Sequence, residues 1–156
     1  MPTTGFREKM VLYAHNVTFK APIRFVYDWC TDYQESDPQI IGANYRRIIL
    51  EKSKMRVVYA SYKVGYDGSP KLAVRIVSLF PSKSSWHLDY FAEEDLETGE
   101  YRLTKLGKEL TRLDMRFKNT WKNGSSPSSE YFRSETKSSW DKYAPALEKD
   151  YAAPKN

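Results

Sequence analysis

Apolar and polar positions recur with two periods, and the switches between them divide the chain. Over residues 10–20, Val11, Tyr13, His15, Val17 and Phe19 hold alternate positions, the period-two pattern of a strand. Ala21-Pro22 ends it, and Pro22 suits the first turn of a helix over 22–33 in which Ile23, Val26, Tyr27 and Cys30 form one apolar stripe. Ser36-Asp37-Pro38 opens a second short helix that Gly42 closes. A strand-rich stretch follows. Residues 45–52 and 55–64 flank a hairpin at Ser53-Lys54, and residues 66–70 are a turn cluster. Leu72, Val74 and Ile76 alternate with Ala73, Arg75 and Val77; past a turn at 81–84, Trp86, Leu88 and Tyr90 alternate with His87, Asp89 and Phe91. Residues 93–98 read as an acidic turn, and strands over 100–106 and 109–121 meet at Gly107-Lys108. The last strand is the clearest, with Thr111, Leu113, Met115, Phe117 and Asn119 on one face and Arg112, Asp114, Arg116 and Lys118 on the other.

Residues 127–151 switch to helical spacing through Phe132, Thr136, Trp140, Tyr143, Ala144, Leu147 and Tyr151, with Ser126 as N-cap and Pro127 in first position. Pro145 lies mid-helix, where it removes a backbone donor and predicts a kink. The order is strand, two short helices, six strands, long helix. A sheet apolar on one side needs a cover, and the C-terminal helix is the long amphipathic element that can supply it. The reading is an α+β fold: a curved seven-stranded antiparallel sheet wrapped around the long C-terminal helix, with a space between them. One domain spans 1–156, with 1–8 and 152–156 frayed.

Composition sharpens the picture at one point. Aromatic residues make up 15%, including 12 Tyr and 4 Trp, more ring surface than a small core requires. Tyr and Trp suit the wall of a cavity that also holds a polar group. The candidate ligand-binding set is Tyr59, Trp86, Tyr90, Tyr101, Phe117, Trp140 and Tyr143, joined by Tyr13, His15, Ile76, Leu88, Leu113, Met115, Ala144 and Leu147. The expected pocket is about 300 Å3 or more, walled by the last strand and the terminal helix, with its mouth near the second helix and the loops at 67–68 and 94–95. Net charge is +5, but Arg46-Arg47 is the only adjacent basic pair, so the charge forms no stripe and argues against nucleic acid. No run reaches the ~18 apolar residues of a membrane span, and the first residues carry no apolar signal core, so a cytoplasmic protein without integral membrane association is expected.

Chemistry-bearing residues are few. One cysteine and two histidines predict no internal disulfide and no metal site, and no phosphate-binding, dinucleotide or nucleophile-elbow motif calls for a cofactor. His15 is the one candidate catalytic group, as a pocket acid or base; the alternative is a half-buried histidine bonded to a neighbouring backbone group or tyrosine. His87 and Asp89 share a face and would form a polar site beside an inward Arg75. Trp86, Leu88 and Tyr90 are the better core set, however, which directs His87 and Asp89 outward. Cys30, on the helix stripe, reads as a packed, inert thiol.

The segment Val17-Thr-Phe19-Lys-Ala21-Pro22, then Val26-Tyr27, then Asp32, resembles the START-like (SRPBCC) superfamily, whose members have the helix-grip fold. The short motif covers about 16 residues; the order of elements extends the resemblance over nearly the whole chain. The resemblance implies a hydrophobic cavity between sheet and C-terminal helix. It implies binding, transport or sequestration of a small hydrophobic or amphipathic ligand. Two other functions occur among such proteins: aromatase/cyclase-like catalysis on a bound polyketide, and interaction like that of a heat-shock-protein ATPase activator. Asp32 matches the family aspartate, which implies a structural role as acceptor for backbone donors at the helix end. The superfamily shares no universal catalytic residue, so fold does not settle function.

Overall fold

The computed structural model describes residues 9–43, 46–64, 68–122 and 126–154. β1 (Lys9–Phe19) leads into α1 (Ile23–Thr31) and a 3-10 helix (Asp37–Ile41). Six strands follow, β2 (Ile48–Lys52), β3 (Arg56–Val64), β4 (Pro70–Phe80), β5 (Ser85–Ala92), β6 (Asp95–Gly107) and β7 (Leu110–Trp121), and then α2 (Ser129–Ala152). The strands form one antiparallel sheet in the order β1-β7-β6-β5-β4-β3-β2, so the first strand closes onto the last. This is the helix-grip arrangement expected from the chain's periodicities. Among the described residues no helix is long and apolar enough to cross a membrane.

The helix ends differ in detail from the expectation. Pro22 is the extended N-cap of α1, its carbonyl accepting from Val26 N at 3.0 Å. Ser128, not Ser126, caps α2, its hydroxyl accepting from Tyr131 N at 3.1 Å, while Pro127 is fully buried before the helix begins. Gly42 closes the 3-10 helix in the left-handed region, φ 77°, which glycine adopts at no steric cost. Asp32 caps α1 but its carboxylate takes side chains, Gln34 and Lys52, rather than backbone donors; Asp37 is the carboxylate that accepts a backbone N–H, from Gln34 at 3.0 Å. Tyr45, placed at the start of a strand by its sequence, lies outside the described residues, and β2 begins at Ile48.

Two strand assignments change, and both matter for the site. Residues 93–98 are not an acidic turn: β6 begins at Asp95, and Asp95, Glu97, Gly99, Tyr101 and Leu103 share the inner face. Ile76 is on the outer face, because Ala73, Arg75, Val77 and Leu79 are the inward set of β4, with Ala73 and Val77 wholly buried. The rest of β4 explains the inversion. Both of its faces are apolar, so alternation does not tell them apart, and the charge of Arg75 has partners inside.

Sheet register stacks the inner face into cross-strand rows. One row runs Tyr59–Arg75–Tyr90–Glu97–Asn119. The next runs Val57–Val77–Leu88–Gly99–Phe117–Tyr13, and the third Leu79–Trp86–Tyr101–Met115–His15. Beyond these rows the interior is solid: Phe19, Val26, Leu113 and Leu147 are wholly buried.

Gly99 sets the middle row. A Cβ there would stand 2.9 Å from Phe117 Cε1 and 3.2 Å from Tyr101 Cε2. The bare backbone lets the Phe117 ring lie across β6 and stack on Tyr13, centroids 4.7 Å apart. Gly99→Ala is expected to cost about 1–3 kcal/mol by overpacking, read as a lower urea midpoint with unchanged slope; an unchanged midpoint would show that Phe117 yields freely.

Candidate functional site

A cavity of about 310 Å3 lies between the sheet and the N-terminal half of α2. β-strand residues form its floor and far wall: Tyr13, Tyr59, Ser61, Arg75, Trp86, Leu88, Glu97, Tyr101 and Phe117. α1 and its exit contribute Trp29, Cys30 and Tyr33; the 3-10 helix contributes Asp37, Pro38 and Ile41; Arg47 precedes β2; and α2 contributes Thr136, Ser139, Trp140 and Tyr143. The second short helix, one of the elements expected beside the mouth, lines the cavity, and α2 is the wall it was expected to be. Of the two loops expected beside them, residue 67 lies outside the described residues, and Asp95 is 2% exposed and buried under the sheet's inner face.

Eight of the candidate residues line this cavity: Tyr13, Tyr59, Trp86, Leu88, Tyr101, Phe117, Trp140 and Tyr143. The others do not. Leu113, Met115, Ala144 and Leu147 belong to the solid core beneath it. Tyr90 packs in a separate cluster with Ala73 and Ala92, and Ile76 is on the opposite face of the sheet. His15 points inward but sits under α2 among Lys137 and Asp141, outside the cavity, and burial lowers its pKa. Its expected role as a pocket acid or base has no support in this placement.

The cavity walls are rings. Trp86 stacks on Tyr101 at 5.0 Å and 11°, and Tyr101 meets Phe117 edge-on at 5.5 Å. Tyr33 reaches the site because its backbone turns into the left-handed region, φ 42°, just after α1; its ring then tilts against Tyr59 at 5.5 Å.

The polar groups come from one sheet row and its neighbours. Arg75 donates from Nη1 to Ser61 Oγ at 2.8 Å, and its guanidinium lies over Tyr90 at 4.8 Å and Tyr59 at 5.6 Å. Arg47 approaches the same Tyr59 ring at 4.8 Å, lies 5.4 Å from the Tyr33 ring, and donates to Asp37 at 2.6 Å. On the other side of the row, Tyr13 Oη donates to Glu97 Oε1. Asn119 Nδ2 donates to Asp95 at 2.8 Å and to Glu97 Oε1 at 3.3 Å, and Tyr90 Oη donates to Asp95 at 3.3 Å. Burial raises the pKa of Glu97, and Asp95 adds to this; the Tyr13 and Asn119 hydrogen bonds and Arg75 act in the opposite direction without cancelling it. Burial and then the Glu97 charge push the Tyr13 hydroxyl well above the ordinary range for a phenol. The Cys30 thiol is likewise raised by burial, so the cavity holds it as a neutral wall group.

Sequence reasoning missed Arg75, Glu97, Arg47 and the α1–3-10 wall. A usable signal existed for Glu97: stepping back by twos from Tyr101 passes Gly99 and reaches Glu97 and Asp95. Arg47 is the second member of the adjacent basic pair; its inward turn is a tertiary event with no local mark.

His87 is on the outer face, bridging Asp89 Oδ1 at 2.9 Å and Glu100 Oε1. Burial opposes its charge, but these two carboxylates outweigh burial and its pKa is raised. The stability it contributes is therefore complete below its unfolded pKa of about 6.5 and is lost as pH rises through the higher folded value. Denaturant unfolding of wild type and His87→Gln should differ most on the acid side of neutrality and converge toward alkaline pH. A constant gap would mean that the bridge does not titrate.

No protein-family profile matches the chain, and no curated protein matches it. Solved structures do, at low identity. The Zhui aromatase/cyclase from Streptomyces sp. R1128 is 17% identical with a TM-score of 0.68, over 92% of this chain and 94% of that one. Norcoclaurine synthase from Thalictrum flavum, solved with dopamine and hydroxybenzaldehyde, is 8% identical with a TM-score of 0.68, over 96% and 90%. A START superfamily protein from Mycobacterium smegmatis is 14% identical with a TM-score of 0.64, over 90% and 96%. These likenesses establish that the chain has the helix-grip fold of START-like proteins, as its first-strand motif and element order imply.

Proposed function

We propose that the protein binds a small amphipathic ligand, mostly apolar with one polar end, in the cavity between the sheet and α2. The observation that carries this reading is the cavity itself: about 310 Å3, walled by aromatic rings, with charged and hydrogen-bonding groups from the sheet (Arg75, Glu97), from Asp37 and Arg47, and from α2 (Thr136, Ser139). That volume is at the lower end for small-molecule sites. Taking apolar ligand surface out of water supplies about 25 cal/mol per Å2, and the polar groups fix orientation. The names of the structural neighbours agree with a small ring-bearing ligand: one is an aromatase/cyclase, another was solved with dopamine and hydroxybenzaldehyde.

Fluorescence titration with N-phenyl-naphthylamine, an apolar dye, tests the reading, together with native mass spectrometry of the purified protein. Saturable binding of one dye per chain is expected, with competition by any ligand that co-purifies. Dye emission that rises without saturation, and no bound species in the mass spectrum, would remove the proposal.

A second reading, catalysis on the bound ligand, is favoured by one feature: the Tyr13–Glu97 pair stands at the cavity wall, where a general acid or base would be needed. An interaction module of the ATPase-activator kind expects a filled interior, and the cavity weighs against it. The feature in its favour is a set of apolar side chains on the outer face, where Tyr62 and its partner Leu72, and Phe91 one row away, are 57%, 51% and 46% exposed.

A further inference from the structure

The two hydrogen bonds to Glu97, from Tyr13 Oη and Asn119 Nδ2, converge on a single oxygen, Oε1. Oε2 receives none from the described residues. It is not among their buried unpartnered atoms either, so it opens onto the cavity that Glu97 lines. A carboxylic acid whose one oxygen accepts two hydrogen bonds carries its proton on the other, because an acceptor already engaged twice is the carbonyl-like oxygen. In the protonated form of Glu97 this places the O–H on Oε2, on the cavity side.

We propose that Glu97 is the polar anchor of the cavity, a neutral carboxylic acid whose Oε2–H donates to the carbonyl, or comparable uncharged acceptor oxygen, of a ligand. The inference rests on the cavity-binding reading above and adds the chemistry of the ligand's polar end. The neighbours of Glu97 fit this charge state. Asp95, two residues away on the same face of β6, shares the Asn119 amide with it, and a second negative charge there is unfavourable. Burial, the largest influence, also favours the neutral form. The remaining groups facing Glu97 are Tyr13 of β1, Arg75 of β4, Tyr90 of β5 and Tyr101 of β6; Thr136 of α2 is on Tyr13. The Tyr13 and Asn119 hydrogen bonds and Arg75, which is engaged with Ser61 and the Tyr59 and Tyr90 rings, favour the ionised form, and burial outweighs them. Packing fixes the pair as well, since Tyr13 is held between the rings of Phe117 at 4.7 Å and Phe132 at 5.1 Å.

The test compares two neutral dyes from about pH 5 to about pH 9, with far-UV circular dichroism confirming the fold at each pH. One is propionyl-dimethylaminonaphthalene, a naphthyl ketone whose emission reports a hydrogen bond to its carbonyl. The other is N-phenyl-naphthylamine, which has no carbonyl. In wild type the ketone's affinity should fall about tenfold as pH rises and Glu97 ionises, while affinity for the amine dye stays nearly level. Glu97→Gln keeps the shape, its amide oxygen can accept from Tyr13 and Asn119, and its Nε2–H replaces the acid O–H. The ketone should therefore still bind to this variant with a level pH profile. A level ketone profile in wild type, or a pH-dependent one that persists in Glu97→Gln, overturns the assignment of Glu97 while amine-dye binding leaves the cavity reading intact. If neither dye binds with saturation, both fall.

Discussion

Replacing Trp86 with alanine should cost about 3–5 kcal/mol of stability, the range for deleting a fully buried large ring. Trp86 is 2% exposed, stacks on Tyr101 and meets Tyr27 edge-on at 5.8 Å and 77°. It is also a wall of the cavity, so it joins the solid core to the ligand space. Its loss leaves Tyr101 held by the edge contact with Phe117 and merges the new void with the existing one, which the surroundings can only partly close. For a domain whose whole stability is about 5–15 kcal/mol, this is a large fraction, equivalent to a melting temperature lower by on the order of 10 °C. Urea unfolding with an unchanged slope is the measurement. Trp86→Phe should recover part of the loss, because a ring still faces Tyr101. A loss under about 1 kcal/mol for the alanine variant would mean that Tyr27 and Tyr101 collapse onto each other and that the wall is plastic.

The elements of this fold were readable because most of them announce themselves through period. The inner face of β7, Thr111 through Asn119, is the same set in sequence and structure, because one side of that strand is apolar and the other charged. β4 lacks that contrast. With Leu72, Val74 and Ile76 on one side and Ala73, Val77 and Leu79 on the other, either face satisfies a hydrophobic count, and the half-buried Arg75 lies on the inner one. Arg75 is tolerated inside because register places it between Tyr59 and Tyr90 in the same row, with Ser61 accepting one donor. β6 fails for a related reason. Asp95 and Glu97 look like turn residues by composition, yet Asn119 and the Tyr13 and Tyr90 hydroxyls, from three other strands, satisfy them. The apolar half of the candidate site was thus legible from the chain, since aromatic residues at alternating positions mark it. The polar half depends on partners distant in sequence, up to 84 residues apart for Tyr13 and Glu97, which no local window contains.

The helix that closes the cavity is divided in function at Pro145, and two substitutions on either side of it should separate stability from binding. Pro145 has no N–H to give the carbonyl of Asp141, so the α2 ladder is weakest there although the helix continues to Ala152. Its C-terminal half is bolted down. Leu147 is wholly buried, Glu148 accepts from Lys20 N at 2.8 Å, Asp150 from Trp29 Nε1 at 2.8 Å, and Tyr151 donates to Glu109 at 2.7 Å. The N-terminal half instead presents Thr136, Ser139, Trp140 and Tyr143 to the cavity. Leu147→Ala should therefore cost about 2–5 kcal/mol and leave the affinity for N-phenyl-naphthylamine nearly unchanged at temperatures where the variant is folded. Trp140 is half-buried, edge-on to Phe19 at 6.0 Å and to Tyr143 at 5.3 Å. Trp140→Ala should cost less, roughly 2 kcal/mol, since only part of the ring is removed from water, but should weaken dye binding about tenfold or more, the equivalent of one lost ring contact of about 1.4 kcal/mol. Paired urea unfolding and dye titration of the two variants decide it. If Leu147→Ala loses binding in proportion to stability, or Trp140→Ala keeps wild-type affinity, the helix acts as one rigid cover and Pro145 marks no boundary within it.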